Sequence, residues 1–177
     1  SRDRHGNPMT MTLKGKVDHS SAGAQFIWHV LANKGPVESL IGQLLALCIA
    51  SHHSGLIDCL DPEGSDVFGK RMRKPEDKTH LQEVQSFADT EILARAHVLL
   101  DSPELIAETK KLLSALKLKE KNERPLHQQI GLAVRFLFSC LIDADRIDTA
   151  NFEQKKVAIN RPQGDYVPWA VLIERLE

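Results

Sequence analysis

The stretch Val37-Glu38-Ser39-Leu40-Ile41-Gly42-Gln43-Leu44-Leu45-Ala46-Leu47-Cys48-Ile49-Ala50-Ser51-His52-His53 decides the fold. Every residue from Leu44 to Ala50 is apolar. That run is far shorter than the roughly 20 residues a membrane span requires. The wider stretch, about Val37 to His52, has the length of a helix. A helix apolar on nearly every side belongs at the centre of a core.

Working upstream, Gly35-Pro36 breaks the chain before this helix. Before the break, Ser20 to Asn33 carries Phe26, Ile27, Val30 and Leu31 as an apolar stripe, and Asp18 stands where an N-cap belongs. Ser1 to Lys16 is polar, with Gly6, Pro8 and Gly15 and no signal-peptide core. Downstream, Ser54 to Pro75 reads as a long loop with Gly55, Pro62, Gly64 and Gly69. Helices are expected near Glu76, at Thr90 to Leu99, and at Pro103 to Lys119, the last capped by Ser102. After a charged joint, Lys117 to Arg124, a long helix is expected from about Pro125 to Asp148. It carries Ile130, Leu132, Ala133, Phe136, Leu137, Cys140 and Leu141. From Asn151 the chain is more polar, with a short helix expected near Val167 to Leu176. No alternating strand pattern interrupts this series, so the fold class is all-α.

The 177 residues suffice for one domain with one substantial core. Apolar residues make up 42% and charged residues 27%, ordinary for a soluble globular protein; aromatics are 5%, so the core must be mostly aliphatic. With a net charge of −1, there is no global basic field to coat nucleic acid, though a local basic track remains open. A cytoplasmic location is the default expectation. Cys48, Cys59 and Cys140 form no CxxC pair, which argues against a structural zinc knot. Cys48 and Cys140 lie in apolar runs and read as reduced core residues.

Three segments set ionisable side chains against apolar helices: Lys16-Val17-Asp18-His19-Ser20-Ser21-Ala22-Gly23, Ile49-Ala50-Ser51-His52-His53-Ser54-Gly55, and Leu141-Ile142-Asp143-Ala144-Asp145-Arg146-Ile147-Asp148. Asp143 follows Phe136-Leu137-Phe138 and Leu141-Ile142 on a helix that must be largely buried. A carboxylate there needs a metal, hydrogen bonds, or an ion pair with Arg146 or Arg135. His52 and His53 end an apolar helix. They are either metal ligands or helix C-terminal histidines favoured by the macrodipole. Adjacent positions on a helix point about 100° apart, so the two rings are expected to address different ions, or one to ligate and the other to contact a substrate. His19, in a first helical turn, is unremarkable alone. His5, His29, His80, His97 and His127 lack a comparable setting. Taken together, three histidines and one or two aspartates on three helices suit Mn, Fe, Co, Ni or Zn. Two such ions about 3.5–4 Å apart activate water and stabilise the leaving oxygen of a phosphate ester.

In order and spacing, Asp18-His19-Ser20 with Ala22-Gly23-Ala24, Ile49-Ala50-Ser51-His52-His53-Ser54-Gly55-Leu56, and Leu137-Phe138-Ser139-Cys140-Leu141-Ile142-Asp143-Ala144-Asp145-Arg146-Ile147-Asp148-Thr149 resemble three successive motifs of the HD-type nuclease domain of the type I CRISPR-associated helicase–nuclease. The resemblance covers roughly Lys16 to Thr149. It implies an HD-domain-like helical bundle at residues 1–150 and an exit segment at 151–177 leading towards a helicase part. It implies metal ligation by His19, His52, His53 and Asp143, of up to two divalent transition ions (Mn, Ni, Co, Fe or Zn) in the intact domain. Arg146 would stand beside the site and steady Asp143 or a phosphate; Asp145, on another helix face, is not expected to ligate. The implied activity is metal-dependent cleavage of single-stranded DNA. The implied partners are single-stranded DNA, a helicase domain of the same polypeptide, a guide-RNA surveillance complex and a possible phage inhibitor, with no membrane involved. The family carries an earlier histidine and a His-Asp pair upstream. No His-Asp dipeptide occurs here and only 18 residues precede His19, so the domain is expected to lack its N-terminal helices. A backbone track for DNA is expected at Lys70, Arg71, Arg73 and Lys74, which read equally as a solvated loop; the same holds for Lys117, Lys119 and Lys121. Two other functions fit the same residues: an HD-type phosphohydrolase acting on nucleotides, and a non-catalytic docking surface.

Overall fold

A computed structural model describes residues 18–117, 123–160, 167, 171, 174 and 175. These residues form helices and one isolated β-bridge, Leu60 to Asp66, and no strand, so the fold is all-α as expected. His5, Lys119, Lys121 and most of the helix expected over Val167 to Leu176 lie outside the described residues. Contacts divide the chain into two compact units, Ser1–Leu141 and Ile142–Glu177.

The first unit is built on a helical hairpin. Helix α1, His19–Leu31, begins on Asp18, whose carboxylate accepts the Ser21 backbone N–H at 2.9 Å. A short turn then reaches Gly35, and Pro36 opens α2, Pro36–Ser51, at the position where a missing N–H costs nothing. The two helices run antiparallel and close. A Cβ added to Gly42 would lie 3.0 Å from Leu31 Cβ, and one added to Gly23 would lie 3.1 Å from Ile49 Cγ2. Small residues at these points let the helix axes approach.

The hairpin has two apolar faces. One packs Ala24, Ala46 and Ala50 with Trp28 and Ile49 against Ile57, and against Phe68 and Met72 of α3, Val67–Met72. The other packs Leu31, Ile41, Phe26, Ile27 and Leu45 against Leu100 of α6, Thr90–Leu100, and Leu105 and Ile106 of α7, Pro103–Lys117. Between these run α4, Glu76–Thr79, and α5, Leu81–Phe87. They are joined by His80 in the left-handed region at φ 52°, with its ring 2.9 Å from Glu83. The central, buried place expected for the Leu44–Ala50 run is the one observed. Ser102 caps α7, accepting the Leu105 N–H at 3.3 Å.

Two expectations are corrected. The stretch from Ser54 to Pro75 is not one long loop. Asp66 caps α3 by accepting the Gly69 N–H at 2.6 Å, and a short helix starts inside the glycine-rich segment. The long helix, α8, spans Glu123–Glu153 and is not largely buried. Val134 is its buried apolar residue among those described, whereas Leu132 and Phe136 are 67% and 66% exposed and Cys140 is exposed rather than in the core. An apolar stripe marks the face a helix can bury; it does not supply the element that covers it. Helix α9, Lys155–Ala158, follows. No helix among the described residues is long and apolar enough to cross a membrane.

Candidate metal centre

The antiparallel hairpin places the first turn of α1 beside the last turn of α2, and this brings His19, His52 and His53 together. One ring nitrogen from each lies within 4.8 Å of the others. His19 Nε2 is 2.6 Å from His53 Nε2. The His52 ring centroid is 3.9 Å from that of His53 and 5.5 Å from that of His19. At 2.6 Å two nitrogen lone pairs repel, so one ring carries a proton that lies between them. Two nitrogens on one tetrahedral ion, each about 2.0–2.1 Å from it, stand about 3.4 Å apart, so the rings part slightly to share an ion.

Histidines 52 and 53 do not point to separate places, as the 100° spacing of a continuous helix would require. Helix α2 stops at Ser51, so the rule ends before the second ring. The stop has local causes. Ser51 is fully buried; its hydroxyl donates to Leu47 O at 2.6 Å and accepts the Ile57 N–H at 3.2 Å, turning the chain under the helix end. His52 Nδ1 lies 2.6 Å from Ile49 O. A carbonyl only accepts, so Nδ1 carries the proton and donates. The other nitrogen, Nε2, is then the one with a lone pair to offer, and its direction is fixed. A ligand ring held through its second nitrogen by a backbone carbonyl is a recurrent feature of metal sites. Three nitrogen donors of this kind fit a divalent transition ion such as Zn, Ni or Co.

The walls of the cluster are polar and tied. Asp18, next to His19, accepts from the Ser20 and Ser21 hydroxyls, each at 2.8 Å, and from the Lys74 ammonium. Burial alone would raise its pKa. The Lys74 ammonium and the Ser21 and Ser20 donors outweigh burial and hold the carboxyl well below the usual carboxylate range. Its backbone N–H donates to Lys78 O at 2.9 Å. Gln25, buried on α1, presents its amide nitrogen to the carbonyls of Arg71, Met72 and Lys74 at 3.3, 3.2 and 2.8 Å.

The basic segment is therefore not a free track. Arg71 turns inward to Ala50 O and Ser20 Oγ, and Lys74 binds Asp18; Lys70 and Arg73 stay exposed, Arg73 pairing with Asp66 at 3.2 Å. Reading the sequence missed Gln25 and placed Arg71 on a DNA track or a solvated loop rather than against the helix ends. The one available signal was a glutamine between Ala24 and Phe26 on an otherwise apolar face. Asp143 and Arg146 stand one turn apart on an exposed stretch of α8 in the second unit, with no ion pair between them among the described residues. The expectation that Asp143 is buried, and so forced to find a partner, does not hold.

Comparison with family models, with curated proteins and with solved structures returned no match.

Proposed function

We propose that this chain is a metal-dependent phosphohydrolase domain that cleaves single-stranded DNA, of the HD-type nuclease class found in CRISPR helicase–nucleases. The observation that carries the proposal is the meeting of His19 with His52 and His53, residues from two of the three motifs that resemble that family. His19, His52 and His53 would hold the ion. Three imidazoles leave a coordination position open, as in catalytic rather than structural sites. A divalent ion bound there supplies Lewis acidity towards a phosphoryl oxygen and lowers the pKa of water.

The chain's own residues supply orientation. The His52 Nδ1–H donated to Ile49 O keeps that imidazole in one tautomer and one direction. Asp18 fixes the first turn of α1 and so the root of His19. On this reading Lys70 and Arg73, both exposed, are the basic residues left to meet a phosphate backbone.

The discriminating experiment is hydrolysis of a single-stranded DNA oligonucleotide against free nucleotides, with added Mn²⁺ or Ni²⁺ and with chelator. Metal-dependent oligonucleotide cleavage is expected. Turnover of nucleotides alone would assign the chain to the nucleotide-acting phosphohydrolases instead.

A further inference from the structure

We propose that Arg71 is a positioning residue of the histidine cluster, setting the separation of the two helix ends and through it the affinity for a divalent transition ion. The inference rests on the metal-centre reading above. A single guanidinium nitrogen, Nη1, lies 2.8 Å from Ala50 O on α2 and 3.4 Å from Ser20 Oγ on α1. Ser20 adjoins His19, and Ala50 stands two residues before His52. Arg71 therefore touches both roots of the cluster from a third element.

The carbonyls at the end of α2 show how this contact reaches a ligand. Ile49 O receives the His52 backbone N–H and the His52 ring; Ser51 O receives the Ser54 N–H at 2.9 Å; Ala50 O, between them, receives Arg71. Carbonyls at a helix C-terminus lack intrahelical partners and attract a cation. Removing Arg71 leaves Ala50 O without this donor, so the last turn frays. Ile49 O belongs to that turn, and it is the group that aims His52. Arg71 itself is held from behind. Its backbone carbonyl, with those of Met72 and Lys74, is gripped by Gln25 on α1, and Lys74 is tied to Asp18. Residues 71–74 thus form a strap over the ends of α1 and α2, with side-chain anchors at Arg71 and Lys74 and backbone carbonyls held by Gln25. Ion binding and closure of the strap are linked: whatever loosens one weakens the other by the same factor.

The experiment is a Co²⁺ titration of the full chain, read by visible absorption, beside a thermal melt of each variant in chelator. Partners that orient metal ligands typically contribute 10–100-fold in affinity. Arg71→Ala is expected to weaken Co²⁺ binding by about that factor and to change the absorption band, with Arg71→Lys recovering part of the loss. Gln25→Ala, which loosens the strap without touching the guanidinium, is expected to act in the same direction. Arg95→Ala, on an exposed arginine of α6, is expected to bind as the wild type does. Wild-type affinity and spectrum in both Arg71→Ala and Gln25→Ala would overturn this inference alone. Failure of the wild-type chain to bind Co²⁺ would overturn the metal-centre reading and this inference with it.

Discussion

Asp18 illustrates how one residue serves both the fold and the site. It caps α1, pairs with Lys74 and precedes His19. Its pKa is depressed in the folded protein, so its contribution to stability is fully present above the ordinary carboxylate pKa of about 4 and is lost as pH falls below it. The wild-type protein should lose melting temperature as pH drops from about 5 towards 2.5. Asp18→Asn keeps a capping oxygen but forfeits the Lys74 pair. It should be less stable at pH 7 by about 1–2 kcal/mol and show a flatter pH profile, which thermal melts at a series of pH values will read. Parallel profiles would mean that another carboxylate governs the acid transition. The capping role was legible, because an aspartate before an apolar-periodic run has few other uses. The inward turn of Arg71 was not legible. Four basic residues within five positions carry no local signal of which one folds back, since the deciding partners are backbone oxygens and hydroxyls tens of residues away.

At the scale of elements, the α1–α2 hairpin depends on two glycines, and Gly42 is the more demanding. Its missing Cβ would sit 3.0 Å from Leu31 Cβ, an atom fixed to the backbone that cannot swing aside. An alanine there gains about 1 kcal/mol of helix propensity but must push the helices apart; overpacking of this kind costs about 1–3 kcal/mol. Gly42→Val, larger and β-branched, should lower the urea midpoint clearly, whereas Gly42→Ala should sit between it and the wild type. The prediction would fail if valine were tolerated without a shift. Helices α1 and α2 were readable because their signals are local: a cap, an apolar stripe, and Gly35-Pro36 between them. Helix α3 was hidden by the glycines and proline around it, and only the Asp66 cap three residues before Gly69 betrays it.

For the whole molecule, the long helix α8 separates pattern from packing. Val134 is 6% exposed and its carbonyl meets the Cys48 thiol at 3.8 Å, while Phe136, two residues on, is 66% exposed. Val134→Ala should therefore cost about 1–2 kcal/mol, and Phe136→Gln should leave the melting temperature nearly unchanged. Equal losses from both would show that the Phe136 face is covered in solution. The all-α class was legible throughout, because periodicity is a property of the chain. Burial of Asp143 was not legible, because it depends on which elements pack, and the structure leaves that carboxylate exposed. The convergence of His19 with His52 and His53 is the feature on which the functional account stands. It is tested most directly by elemental analysis of the purified chain beside a His52→Ala, His53→Ala variant of unchanged helical content. Stoichiometric transition metal in the wild type, absent from the variant, is the expected result. Equal metal content in the two, or none in either after exposure to Mn²⁺, Ni²⁺ and Zn²⁺, would contradict a metal centre at the ends of α1 and α2.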